Sequence, residues 1–172
     1  MAAIIAYFSR RGEKYVSGTL KELPVGNTEV AADMIRELTG ADVFPIDPVQ
    51  VYSKRYNTCI AEAQADQRRD ARPELKCYPE HLEEYDTIYL GYPNYWGTMP
   101  MAVYTFLENY DLSGKTIHPF CTHEGSGLSR TERDIQKAAP GAVVTPGLAI
   151  HGSGVDGAKD AIARWVKENG SV

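Results

Sequence analysis

Five short runs rich in Ile, Val, Tyr and Phe, each followed by a stretch of helical character, set the architecture this chain can adopt. They are "AIIAYF" (3–8), "DVFPI" (42–46), "TIYLGY" (87–92), "TIHPFC" (116–121) and "AVVTPGLAI" (142–150), each bounded by turn residues. None shows the strict apolar–polar alternation of a strand with one wet face, so they read as strands covered on both sides. Between them, "NTEVAADMIRELTG" (27–40) places Val30, Met34, Ile35 and Leu38 on one helical face and stops at Gly40, a C′ position. "SKRYNTCIAEAQADQRR" (53–69) is helical by propensity, and "PMAVYTFLENY" (100–110) opens on a proline suited to a first helical turn. "LSRTERDIQKAA" (128–139) follows, and "DGAKDAIARWVKENG" (156–170) closes the series. Strands alternating with helices specify an α/β fold, a three-layer doubly wound five-stranded parallel sheet. The 172 residues contain no repeat or low-complexity linker, so one domain over 1–172 is expected.

Composition narrows the function classes. The net charge of −5 argues against nucleic acid as a partner, because phosphate backbones require clustered Lys and Arg. The basic run Gln67 to Arg72 is broken by Asp70 and reads as a solvated helix face. No apolar stretch approaches the roughly 20 residues of a membrane helix, and Met1 leads into the first strand without a basic leader, so a cytoplasmic location is expected. Cys59, Cys77 and Cys121 are odd in number and widely spaced, which suggests reduced thiols and neither a disulfide framework nor a zinc site.

In an open parallel sheet, ligands bind beyond the carboxyl ends of the strands where strand order reverses. The loops after the first, third and fourth strands are therefore the informative ones. They read "SRRGEKYVSGTLKELPVGNT" (9–28), "GYPNYWGTMP" (91–100) and "CTHEGSGLS" (121–129), richer in hydroxyls, glycines and aromatics than a plain connection needs.

Two features in order, a strand followed by Ser9 and then Gly26-Asn27-Thr28 opening a helix, and Pro93-x-x-Trp96-Gly97-x-x-Pro100 after the third strand, make the chain resemble the flavodoxin family along essentially its whole length. The resemblance implies strand order 2-1-3-4-5 and a non-covalent FMN. In that family the first loop wraps the FMN phosphate in a pattern like Ser/Thr-x-Thr/Ser-Gly-x-Thr. Here Ser9 stands at the first position and Gly26, Asn27 and Thr28 at the last three; residues 10–24 intervene, and Val25 replaces the central hydroxyl. The first loop is then a phosphate loop with an insertion, in which Ser17 or Thr19 is available to replace the missing hydroxyl. Arg10 falls among the cofactor contacts, although isolated arginines such as Arg10 and Arg11 usually turn to solvent. Physically, a helix N-terminus offers unpaired N–H groups and partial positive charge, and Gly26 permits close approach of an anion. The competing reading is that Asn27 or Thr28 simply caps the helix.

The resemblance carries ring contacts to Pro93, Asn94, Tyr95, Trp96 and Gly97, with Trp96 the first candidate for stacking and Tyr95 the second. Tyr92 is assigned to the core. Aromatics at a strand's carboxyl end need a flat partner or a neighbouring helix to cover them. Gly97 permits backbone rearrangement near the ring, where a loop carbonyl can accept a hydrogen bond from N5 of the reduced flavin. Thr122, His123, Glu124, Gly125, Ser126 and Gly127 match the family's second flavin-side loop, whose N–H groups meet the pyrimidine edge. Ser126 or Ser129 is alternatively a helix cap, and His123 either tunes the flavin or is an ordinary surface histidine. His118 and His151 read as structural, and Glu124 has no evident partner for acid–base work.

"GSGVDG" at Gly152–Gly157 fits G-x-G-x-x-G but lacks a following strand and ribose-binding acid, so it reads as a turn with Asp156 as N-cap. "GKT" at 114–116 precedes a strand and lacks the upstream glycine of a nucleotide loop. Three functions follow. The first is an FMN-binding electron-transfer protein with a redox partner protein or small-molecule electron donor or acceptor. The second is an NAD(P)H- or quinone-linked FMN-dependent reductase, favoured if Tyr15 folds over the ring. The third, a response-regulator-like module, is disfavoured because Ser9-Arg10 and Gly91-Tyr92 stand where that architecture needs acids.

Overall fold

The computed structural model describes residues 2–170. Its central sheet is parallel. β1 (Ala3–Tyr7) lies between β4 (Asp42–Pro45) and β5 (Thr87–Pro93), β5 pairs with β6 (Thr116–His123), and β6 pairs with both β7 (Val143–Val144) and β8 (Leu148–His151). The order is β4-β1-β5-β6-β7, with β8 continuing β7 along the same neighbour. This is the expected 2-1-3-4-5 arrangement, with its fifth strand in two pieces. The break follows from Pro146, which has no N–H, and from Gly147, whose N–H leaves the ladder to bond Glu132 Oε2 at 2.8 Å.

Five helices cover the sheet: α1 (Asn27–Thr39), α2 (Tyr56–Arg68), α3 (Met101–Glu108), α4 (Thr131–Ala138) and α5 (Lys159–Glu168). Strand side chains alternate between two cores. On one face Ile4, Ala6, Ile88, Leu90 and Tyr92 meet Val103, Phe106 and Ile135 of α3 and α4. On the other, Ile5, Tyr7, Tyr89 and Phe120 meet Ala31 and Ile35 of α1 and Ile162 and Trp165 of α5. Gly91 makes room for its cross-strand neighbour: a Cβ there would stand 2.2 Å from the Phe120 ring on β6. Among the described residues no helix is long and apolar enough to cross a membrane.

Several local expectations are corrected. Residues 12–23, read as a polar insertion, form an antiparallel hairpin of β2 (Gly12–Val16) and β3 (Thr19–Leu23). Its two-residue turn, Ser17 and Gly18, has φ of 52° and 84°, both left-handed, as tight hairpins require. Asp156 is not a helix cap: Gly152–Gly157 is a 3-10 segment, and Ala158 occupies the cap position of α5. Ser126 and Ser129 do not cap α4 either, since that place belongs to Arg130.

Candidate functional site

The carboxyl ends of β1, β5 and β6 open into a cleft of about 260 Å³, walled on the remaining sides by α2 and the β2–β3 hairpin. At its floor, α1 begins directly after Gly26. Neither Asn27 nor Thr28 caps the helix; Ser9 does so from across the gap, its Oγ accepting the Glu29 N–H at 3.1 Å. The Gly26 carbonyl takes the Val30 N–H. The N–H groups of Asn27 and Thr28 are left without an intrahelical acceptor, where negative charge is favoured. Gly26 is required by the chain's own packing, because a Cβ would lie 2.1 Å from Ser9 Oγ and 2.6 Å from the Arg10 carbonyl. Thr28 is buried, and its hydroxyl is committed to Thr122 Oγ1 at 2.8 Å, which pins α1 to the end of β6.

Arg10 does not face solvent. It is 8% exposed, and its guanidinium donates to the carbonyls of Ser53 at 3.1 Å and Lys54 at 2.8 Å, and to that of Glu13. These bonds fasten the base of the hairpin to the segment before α2, where Glu13 N–H also bonds the Lys54 carbonyl. Arg11 is the exposed arginine, 3.3 Å from Glu29.

The loop after β5 turns at Trp96 and Gly97, both with positive φ, and is closed by reciprocal bonds between Tyr95 and Thr98. Asn94 organises it: its Oδ1 accepts the Gly97 N–H at 3.0 Å, and its Nδ2 donates to the Gly127 carbonyl and Ser129 Oγ, both at 2.9 Å. Tyr95 packs edge-on against Phe8 and beside Tyr52. Burial pushes its phenol well above the usual range. Trp96 stays 46% exposed and donates its Nε1–H to the Ile60 carbonyl at 2.8 Å. Tyr92 is wholly in the core, as expected, and donates to Thr131 Oγ1 at 2.9 Å.

After β6, His123 Nδ1 accepts the Gly125 N–H at 2.9 Å, which fixes the tautomer with its proton on Nε2. Burial, then the neighbouring His151, lowers its pKa. Glu124 has partners after all. Its Oε1 accepts the Ser153 hydroxyl at 2.5 Å, and its Oε2 lies 3.1 Å from His151 Nδ1, so His151 belongs to this surface cluster and not to the core. Ser153 Oγ in turn accepts the Ser17 N–H at 3.0 Å, tying the hairpin tip across the cleft's edge.

Of the residues expected from sequence, the structure brings Arg10, Asn27, Pro93, Asn94, Tyr95, Trp96, Thr122, His123 and Glu124 to the cleft wall. Ser9 and Gly26 shape the helix start beneath it. Thr28, Gly97, Gly125, Ser126 and Gly127 are off the wall, holding its loops in place. The sequence reading missed Lys14, the α2 face of Tyr56, Cys59, Ile60 and Ala63, and Gly152. The helical spacing of 56, 59, 60 and 63 was the available signal for the α2 face. Tyr15 stands on β2 with its ring edge-on to Tyr56 at 4.8 Å. Burial pushes the Lys14 ammonium down to about 8, helped by the charge of Arg10.

The groups that face the cleft suit FMN, with free N–H groups at the start of α1 for a phosphate and the half-exposed Trp96 indole for a flat ring. Two polar atoms behind the wall are covered by the protein itself: among the described residues Arg10 Nε has no hydrogen-bond partner, and Tyr95 Oη has only the weak Cys59 thiol. Comparisons agree with this geometry. A flavoprotein of Bacteroides uniformis superposes with a TM-score of 0.76 at 27% identity, covering 96% of this chain and 97% of its own. One of Bacteroides eggerthii gives 0.72 at 27%, over 94% and 98%. A Lactobacillus acidophilus flavoprotein, solved in complex with FMN, shares the fold at a TM-score of 0.64 and 20% identity, over 91% and 97%. No curated protein matches the sequence. Residues 4–169 match the family described as flavodoxin. With the sheet order, the helix start at Ser9 and Gly26, and the two cleft loops all in place, the chain belongs to the flavodoxin family.

Proposed function

We propose that the protein binds FMN non-covalently in the β1–β5–β6 cleft and exchanges electrons through it. The observation that carries this is the convergence, on one cleft, of the α1 N-terminus, the Asn94–Trp96 loop and the Thr122–Glu124 loop. The phosphate belongs at the α1 N-terminus, with Ser9 and Asn27 beside it and Thr28 contributing its N–H, its hydroxyl being engaged by Thr122. Trp96 and Tyr95 flank the ring, and Thr122, His123 and Glu124 face its polar edge. When bound, FMN supplies one- or two-electron transfer, and the protein supplies position and electrostatics.

The hairpin favours a reductase acting on a small molecule over a carrier serving a partner protein. It is tied down at both ends, by Arg10 at the base and Ser17 at the tip, and places Lys14 and Tyr15 against the cleft. That cover leaves a small molecule better access than a protein surface. The visible spectrum of the purified protein reconstituted with FMN, followed by anaerobic mixing with NADH or NADPH, tests both parts. Absence of tight flavin binding defeats the first, and failure of either nicotinamide to bleach the bound flavin defeats the nicotinamide-linked form of the second.

A further inference from the structure

The cleft has an unbalanced charge. Arg10 and Lys14 both line it, and neither is paired with a carboxylate among the described residues. Arg10 is satisfied only by neutral carbonyls, and its Nε has no partner. Lys14 makes no hydrogen bond. The acids nearby are committed elsewhere: Glu13 accepts the Tyr56 N–H, Glu62 accepts the Ser53 N–H, and Glu124, the cleft's one carboxylate, holds Ser153 and His151. A chain with five excess negative charges has therefore left two cations facing one partly enclosed space. Enclosed charge without a counter-charge is expensive, and like charges sharing a site raise that cost further. An anionic occupant removes both penalties.

We propose that Arg10 and Lys14 form an anion-selecting wall on the hairpin side of the cleft, and that the small molecule served there carries a carboxylate or phosphate that docks on Lys14 with Arg10 behind it. This rests on the reading that FMN occupies the cleft with its phosphate at the α1 N-terminus. The Arg10 guanidinium is engaged by the carbonyls of Glu13, Ser53 and Lys54 at the hairpin base, whereas the helix start is capped by Ser9, so the two sites use different residues. Lys14 comes from the hairpin, so the second anion is recognised by the element that covers the cleft.

The wall also has a pH signature. The groups facing Lys14 are Arg10 at the hairpin base, Cys59 on α2 and Glu124 beyond β6. An anion prefers the charged ammonium, so its affinity is full below pH 8 and declines as the pH rises through the Lys14 pKa of about 8.

The test is competitive acetylation of the FMN-loaded protein with trace acetic anhydride, read residue by residue by mass spectrometry, with Lys54 and Lys76 as internal standards. Inorganic pyrophosphate and benzoate serve as phosphate and carboxylate probes at matched ionic strength. The expected result is that Lys14 reacts with a midpoint near pH 8 and that at least one probe protects it saturably while leaving Lys54 and Lys76 unchanged. In FMN-loaded Lys14→Gln, probe affinity measured by calorimetry should fall at least about tenfold, and Lys14→Arg should restore it. The proposal is overturned if neither probe protects Lys14. It is equally overturned if FMN alone protects Lys14 and riboflavin does not, which would give the wall to the cofactor's phosphate. Failure to load FMN at all is seen separately, in the absorbance of the starting sample.

Discussion

Replacing Tyr95 by Phe removes an enclosed hydroxyl whose one partner among the described residues is the weak Cys59 thiol, whereas Tyr92→Phe removes one that bonds Thr131. The two substitutions are chemically identical and lie three residues apart, so they isolate the effect of a partner. An unsatisfied buried polar group costs about 1–3 kcal/mol, and the adjacent Cys59 thiol, a weak sulfur partner, offsets part of it. Tyr95→Phe should therefore stabilise the flavin-free protein by about 0.5–2 kcal/mol. Tyr92→Phe should destabilise it by about 0.5–1.5 kcal/mol, because Thr131 Oγ1 keeps its bond to the Leu128 carbonyl and is not orphaned. Urea unfolding followed by circular dichroism, with slopes unchanged, reads both as shifts of midpoint in opposite directions. A Tyr95→Phe protein as destabilised as Tyr92→Phe would refute the claim that this hydroxyl lacks a strong partner.

Ser9→Ala should cost about 1 kcal/mol of stability through loss of the Glu29 cap, and it should narrow the preference for FMN over riboflavin in titrations of the apoprotein. Unchanged preference would remove Ser9 from the phosphate site. Trp96→Ala should weaken FMN binding by about 1–3 kcal/mol, measured by quenching of flavin fluorescence, and equal affinity would take the indole off the ring. Deleting residues 11–23 should leave the parallel sheet folded, since the hairpin bonds to loops and not to the ladder; global unfolding by amide exchange would show otherwise.

The parallel sheet was legible because its strands are covered on both faces, and that burial writes itself into uninterrupted runs such as Ile88 to Tyr92. The loops that bound the cleft were legible for the same reason of position, lying at the carboxyl ends of β1, β5 and β6. The hairpin was not. Its charged positions Glu13, Lys14, Lys21 and Glu22 read as loop, and only Ser17-Gly18 between Tyr15-Val16 and Thr19-Leu20 marks the turn. Arg10 looked like a surface residue because its three acceptors are backbone carbonyls, two of them more than 40 residues away, and carbonyls leave no trace in residue type. Glu124 looked partnerless because Ser153 and His151 reach it only once β8 lies beside β6. What sequence shows least well is contact between distant loops.

The division of the fifth strand at Pro146 also bears on how copies of this chain meet one another. An unbroken outer strand offers a row of free N–H and C=O groups on which a second molecule can extend the sheet. Here that margin is two residues of β7, an interruption whose two amide protons are taken by the Ile117 carbonyl and Glu132, and four residues of β8. The opposite margin, β4, is four residues long and ends on Pro45. Neither side gives a neighbouring molecule more than a turn's length of template, so resistance to sheet-to-sheet aggregation is built into the backbone and should persist near the isoelectric point, where charge repulsion vanishes.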